Sequence, residues 1–96
     1  MADLIIVSDV HFIDAASEDL RRGLLGFVTC TLNGSVQLDG LTLRRTRSGR
    51  PAISFPARRD ARGRVHPVVR ILDVARRRDI EAQIFQALGV AQEASP

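Results

Sequence analysis

Asp9 and His11 stand two residues apart in an apolar segment, and both side chain types ligate metal ions. In a β-strand, residues two apart point to the same side, so the two could share one cation. A two-metal hydrolase, however, needs further Asp, Asn and His ligands, and the one other histidine is His66. We therefore expect a strand with solvent-facing polar residues. A metal hydrolase stays as an alternative that metal analysis of the purified protein would settle.

No other residues have the spacing of a catalytic or cofactor site. His66 lacks a Ser or Cys nucleophile in a recognisable turn with an acid to orient it. Cys30 is the single cysteine, so it predicts neither a disulfide nor a zinc site, and its apolar neighbours favour a buried small hydrophobe. The sequence thus predicts a protein that is not an enzyme, without cofactor, metal or small-molecule substrate.

Arginine is the residue type that could do binding chemistry here. All 14 basic residues are Arg, and eight of them lie between Arg44 and Arg64 with one acid, Asp60. Guanidinium groups bind phosphates and base edges bidentately and stay charged at any usable pH. This block indicates either a polyanion-binding surface or the solvated face of a twisted hairpin.

The candidate site is a polar loop over Ala57–Gly63, which Pro56 would direct out of a strand. We expect its arginines to engage phosphates or a guanine edge. Phe55 is the one nearby ring and is expected to face inward, so base stacking is not expected. A run at Arg76–Arg78 is interpreted as a solvated face paired with Asp73, Asp79 or Glu81, with a second phosphate contact as the alternative. The nucleic-acid-binding residues expected in the main site are Arg58, Arg59 and Arg62, extended by Arg64, Arg47 and Arg50.

Length and composition predict one globular domain over residues 1–96. The chain is 45% hydrophobic and 26% charged, and no apolar run is long enough to span a bilayer. No basic region precedes an apolar run at the N-terminus, so a secretory signal is not expected and a cytoplasmic location is.

Alternating apolar residues predict strands within about residues 4–72. Asn33-Gly34 between two such runs is typical of a type I′ hairpin turn. A phase flip across Asp39-Gly40 predicts a bulge, and Asp14–Arg22 is expected to be a loop or a helical turn. The expected strands are Leu4–Phe12, Leu24–Leu32, Ser35–Arg45, Pro51–Pro56 and Arg64–Leu72.

The apolar period changes to that of a helix over about 73–88. Asp73 suits an N-cap and Gly89 a helix end, and residues 89–96 are expected to fray. The predicted fold is α+β: a four- to five-stranded antiparallel meander with one C-terminal amphipathic helix packed on it, in a domain small enough to gain from dimerisation. The apolar stripe of the helix comprises Ile80, Ile84, Phe85 and Leu88.

Four segments, in order, resemble the stage V sporulation protein G, or septation protein, family of bacteria. The most distinctive is Ala52–Arg59, in which a strand ends in Pro, a small residue and a basic pair. The others are similar to the first three strands of the family: Val7–Val10, Phe27–Gly34 and Leu38–Leu43.

The resemblance implies a small α+β fold that dimerises through its sheets. It also implies binding to DNA, and in some members RNA, by a regulator of gene expression connected with sporulation, septation and cell division. Arg58 and Arg59 match the basic pair implicated in nucleic-acid contact. The sequence departs from the family at three places. The family usually has Lys at the position of Arg58 and a more acidic stretch at Arg64–Pro67. It usually has an uncharged residue at the position of Asp60, whose charge is expected to weaken phosphate attraction.

Two non-enzymatic hypotheses follow. The first is a homodimeric nucleic-acid-binding regulator. The second is an interaction or scaffold domain, whose exposed strand edges and arginine face recruit an acidic protein. Salt-dependent binding to mixed-sequence DNA favours the first, and no binding at low salt favours the second.

Overall fold

The computed structural model describes residues 4–90, which form a four-stranded antiparallel sheet, a separate two-stranded hairpin and two helices. The four strands of the sheet lie side by side in chain order, and the last two strands of the chain pair in the hairpin. The predicted α+β class with a C-terminal helix is confirmed. Of the tail expected to fray, residues 91–96 lie outside the described residues. The elements are β1 (Val7–Asp14), α1 (Ser17–Arg21), β2 (Leu24–Leu32), β3 (Val36–Arg45), β4 (Pro51–Ser54), β5 (Ala57–Arg59), β6 (Val65–Pro67) and α2 (Val74–Leu88).

The β2–β3 hairpin forms as its sequence predicts. Asn33 and Gly34 have φ angles of 50° and 65°, the left-handed values that a type I′ turn requires. The register shifts between Val28 and Cys30, where β3 carries an extra residue at Gly40. This bulge explains the phase flip, because the β3 side chains that enter the core are three residues apart rather than two. They are Leu38 and Leu41.

Helix α2 packs on one face of the sheet and closes the core. Ile80 and Ile84 are fully buried and Phe85 is nearly so, which confirms the predicted apolar stripe. The opposite face of the sheet carries Ile13 and Phe27, cross-strand partners that are 63% and 40% exposed. The side chains of the sheet that meet α2 in the core cluster are Val28, Cys30, Leu38, Leu41, Leu43 and Ile53.

One residue at each end of α2 and one polar side chain within it fix the position of this helix. The Asp73 carboxylate accepts a hydrogen bond from the Ala75 N–H at 2.9 Å, the predicted N-cap, and Gly89 ends the helix with a φ of 71°. Gln83, which the sequence analysis did not single out, joins α2 to the chain at β1. Its amide accepts from the Val7 N–H at 2.8 Å and donates to the Ile5 carbonyl at 2.7 Å.

The chain after β4 departs from the prediction. The prediction of a strand over Arg64–Leu72 is wrong, because only β6 is a strand within this range. β6 pairs with β5 and not with a strand of the main sheet. The prediction of a loop over Ala57–Gly63 is wrong in part, because the first three residues of this range form β5. Pro56 and Pro67 have no N–H to donate to a ladder, which prevents a continuous fifth strand. Val65, which lies in the predicted strand, is 58% exposed.

The first strand begins three residues later than predicted and ends two residues later, at Asp14. Of the two alternatives predicted for Asp14–Arg22, a loop or a helical turn, the structure has the helical turn, as α1. Over residues 4–90, neither helix combines the length and the apolar character needed to cross a bilayer.

We expect Ile84→Ala to lower the free energy of unfolding by about 2–5 kcal/mol, because the side chain is fully buried between α2 and the sheet. Denaturant unfolding measures this loss. Val74→Ala, at a 65% exposed position of the same helix, is the control and should change stability by less than about 0.5 kcal/mol. Equal losses in the two variants would contradict the packing of α2 described above.

Candidate nucleic-acid interface

The β5–β6 hairpin stands outside the main sheet and is closed at its base by Pro56. The Pro56 carbonyl accepts hydrogen bonds from the N–H groups of Val68 at 2.9 Å and Val69 at 3.3 Å. This pair of bonds brings the returning chain back to the point where the hairpin left β4. The hairpin is therefore a separate ribbon between the edge strand of the sheet and the start of α2.

Asp60 organises the tip of this hairpin. Its backbone N–H donates to the Arg64 carbonyl at 2.9 Å, and its own carbonyl accepts from the Gly63 N–H at 3.0 Å. Its carboxylate oxygen Oδ1 accepts from the N–H groups of Arg62 and Arg64, both at 2.9 Å. The acid thus fixes the turn on which two arginines are displayed.

The second carboxylate oxygen of Asp60 lies 2.7 Å from Nε2 of His66. The hydrogen bond with His66, followed by that from the Arg64 N–H, lowers the pKa of Asp60 from its ordinary value of 3.8. The sequence led us to expect that Asp60 would weaken phosphate attraction. Within residues 4–90 its carboxylate bonds to His66 and to backbone N–H groups and pairs with no guanidinium.

The basic pair Arg58 and Arg59 lies on β5 and is divided between the two faces of the ribbon. Arg58 is opposite His66 and Arg59 is opposite Val65, and neighbouring residues of a strand point to opposite faces. Nη1 of Arg59 donates to the Gly63 carbonyl at 2.9 Å, so this side chain lies along the hairpin towards its tip. The ribbon is cationic on both faces.

Four of the six predicted site residues come together on this one hairpin, and all four side chains are exposed. Among residues 4–90, the ion pairs are His66–Asp60 and Arg77–Glu81. The hairpin guanidinium groups therefore have no carboxylate of the described chain within 4.0 Å, and their charge is free to attract an anion. The four are Arg58, Arg59, Arg62 and Arg64.

The other two predicted residues, Arg47 and Arg50, lie elsewhere. They are exposed on the turn between β3 and β4, where the Thr46 N–H donates to the Arg50 carbonyl at 2.8 Å. The hairpin begins at the opposite end of β4, whose four residues span about 13 Å. Arg47 and Arg50 thus belong to a second basic turn, which does not lie beside the hairpin.

Two further arginines border the hairpin: Arg70, which the sequence reasoning did not single out, and Arg77, which it named only as part of the run Arg76–Arg78. Arg77 has its guanidinium carbon 5.5 Å from the centre of the Phe55 ring, and its Nε is 3.5 Å from a Glu81 oxygen. The predicted pairing of this run with Glu81 is confirmed for Arg77. Arg70 and Arg77 both line a cleft of about 360 Å³ between the hairpin and the start of α2. Arg70 and Arg77 reach this cleft through tertiary packing, so no local pattern in the sequence could have indicated it.

Asp9 and His11 do share one hollow, of about 250 Å³, with Thr29, Thr31 and Gln37, and the buried Cys30 also borders it. In the part of the chain that the structure describes, no third His, Cys, Asp or Glu joins them as a metal ligand set. Cys30 is 1% exposed, and burial raises the pKa of its thiol, as befits a core residue.

Comparison of the chain with known proteins found no family model that matches it and no significant match among curated proteins.

The Asp60 bonds should give the hairpin a measurable acid transition. The hydrogen bonds that Asp60 accepts are strongest when its carboxylate is charged, and its pKa is therefore lowered in the folded chain. These hydrogen bonds persist above pH 3.8 and are lost as the pH falls through the lowered pKa. We expect the amide protons of Arg62 and Arg64 to shift with a midpoint below 3.8 in an NMR pH titration. Asp60→Asn should abolish this transition. A midpoint at or above 3.8 would contradict the described turn.

Proposed function

We propose that this protein is a non-enzymatic regulator that binds DNA, and RNA as a further partner, through the β5–β6 hairpin. The observation that carries the proposal is the set of four exposed hairpin arginines without a carboxylate partner in the described chain. A second set of four exposed arginines without a carboxylate partner in the described chain lies at the other end of β4: Arg44, Arg45, Arg47 and Arg50.

Phosphates are the anions that such a ribbon suits. Each guanidinium that neutralises a phosphate releases counterions, which favours binding at low salt. The major groove of B-DNA admits a two-stranded ribbon, and its two walls carry phosphates. A ribbon with Arg58 on one face and Arg59 on the other can address both walls at once. At the tip, Arg62 and Arg64 can reach a guanine edge or further phosphates.

The resemblance of Ala52–Arg59 and three earlier segments to the stage V sporulation protein G family supports the same function. On that resemblance, the protein acts in the cytoplasm in gene regulation connected with sporulation, septation or cell division. Arg58 and Arg59 occupy the positions of the family's basic pair. A homodimer formed through the sheets completes the proposal, because two copies would present two hairpins to one nucleic acid.

Changing Arg58 and Arg59 together to Ala should abolish the gel shift of mixed-sequence DNA and weaken binding at least about tenfold, because charge-assisted contacts to phosphate are lost. The melting temperature should not change, since both side chains are exposed and lie outside the core. Fluorescence anisotropy and thermal unfolding measure the two quantities.

The matched control is Arg21→Ala with Arg22→Ala, which removes the same charge from a second exposed adjacent pair, at the end of α1. This control should retain most of the affinity. Equal loss in both double variants would show that net charge, not the hairpin, drives binding. If the parent protein binds no DNA at low salt, the scaffold hypothesis with an acidic protein partner takes its place.

The dimer is proposed to use the sheet face that carries Ile13 and Phe27. An exposed ring beside an exposed branched side chain is a surface that gains from burial in an interface. We expect Phe27→Glu to convert the dimer to a monomer in light scattering, because burial of the new carboxylate is costly. Val36→Glu, at a 52% exposed position at the start of β3, should leave the dimer intact. A monomeric parent would contradict the dimer.

A further inference from the structure

The cleft between the hairpin and α2 is lined by apolar side chains and by the polar side chains of Ser54, Arg70 and Arg77. The hairpin contributes Ala57, Val65 and Pro67, and the chain that leads to α2 contributes Val69 and Ile71. Phe55, which the sequence predicted to face inward, is half-buried: it packs against the core and also borders this cleft. The apolar lining thus reaches the surface directly beside the arginine ribbon.

The charged groups of the cleft are of one sign. Arg70 and Arg77 belong to its lining, and no carboxylate does. Glu81 lies outside the cleft lining, with an oxygen 3.5 Å from Nε of Arg77, and the Arg77 guanidinium lies over the Phe55 ring. Arg59 lies on the same face of the hairpin as Val65, so the cleft and the cationic ribbon share a surface.

Size and chemistry select the class of ligand. A volume of about 360 Å³ is near the lower end of the range for small-molecule sites, enough for one planar group with its linkage and not for a folded segment. Unpaired nucleobases stack on aromatic rings and on arginine guanidinium planes, while their phosphates bind cations. The Arg77–Phe55 pair offers such a surface, and Arg70 offers a second cation.

We propose that this cleft holds one unpaired base of a single-stranded nucleic acid, with the adjoining phosphates on Arg70 and the hairpin arginines. The inference rests on the proposed function and deepens it, because it adds a single-stranded form of nucleic acid, held by the cleft, to the duplex contacts of the hairpin. A base inside a duplex is stacked and paired and does not reach the cleft. An acidic peptide could satisfy the arginines but has no planar group to place against the Arg77–Phe55 pair.

The experiment compares single-stranded oligothymidine with the same strand carrying abasic residues, which keep the phosphates and lose the base. Oligouridine provides the RNA arm, a mixed-sequence duplex the paired arm, and poly-glutamate the acidic-peptide arm. Arg77→Gln is compared with Arg78→Gln, which removes the same charge from the next residue of α2, an exposed position outside the cleft lining. Melting temperatures confirm that both variants fold.

The parent should bind the intact strand about tenfold more tightly than the abasic strand. Arg77→Gln should reduce this preference to about threefold or less, and Arg78→Gln should leave it unchanged. A 2-aminopurine base in the strand should lose fluorescence on binding the parent, since stacking quenches it. The two variants should bind the mixed-sequence duplex with equal affinity.

Three results would overturn the inference: equal affinity for the intact and abasic strands, equal effects of the two variants on the preference for the intact strand, or competition by poly-glutamate as strong as by oligothymidine. If the intact and abasic strands bind with equal affinity but the double variant Arg58→Ala with Arg59→Ala still abolishes binding, the function proposed for the hairpin is supported and the cleft site is refuted. If the parent binds no nucleic acid, both fall.

Discussion

The missing N–H of Pro56 is the constraint on which the candidate site depends. After β4, the chain cannot continue the ladder at this residue, and the Pro56 carbonyl instead bonds the N–H groups of Val68 and Val69. Everything between Ala57 and Pro67 is thereby excluded from the main sheet and forms a ribbon of its own. The arginines of this segment are exposed because the ribbon has no buried face to place them against.

The acid at the tip of this ribbon has a structural role that a charge count would miss. Asp60 cancels one positive charge, yet its oxygens bond to His66 and to the N–H groups of Arg62 and Arg64. The turn is therefore ordered, and the neighbouring side chains are presented from a fixed backbone. A preformed site loses less conformational entropy on binding than a flexible loop of the same composition would.

Local rules predicted most of the fold. The Asn33-Gly34 turn, the bulge beside Gly40 and the N-cap at Asp73 each depend on one or two residues and formed as expected. The hairpin did not, because apolar alternation after Arg64 resembles a buried strand and periodicity carries no information on which partner a strand pairs with. The cleft was unpredictable for the same reason: Phe55 and Arg77 meet through tertiary packing, 22 positions apart in the sequence.

The most direct test of binding by the hairpin is NMR of the arginine side-chain Nε–H signals while a mixed-sequence oligonucleotide is added at low salt. All 14 basic residues are arginines, so one type of signal reports on every candidate contact. If the hairpin binds, the signals of Arg58, Arg59, Arg62 and Arg64 shift and that of Arg21 does not. Uniform small shifts across all arginines, or shifts that spare the hairpin, would contradict binding by the hairpin.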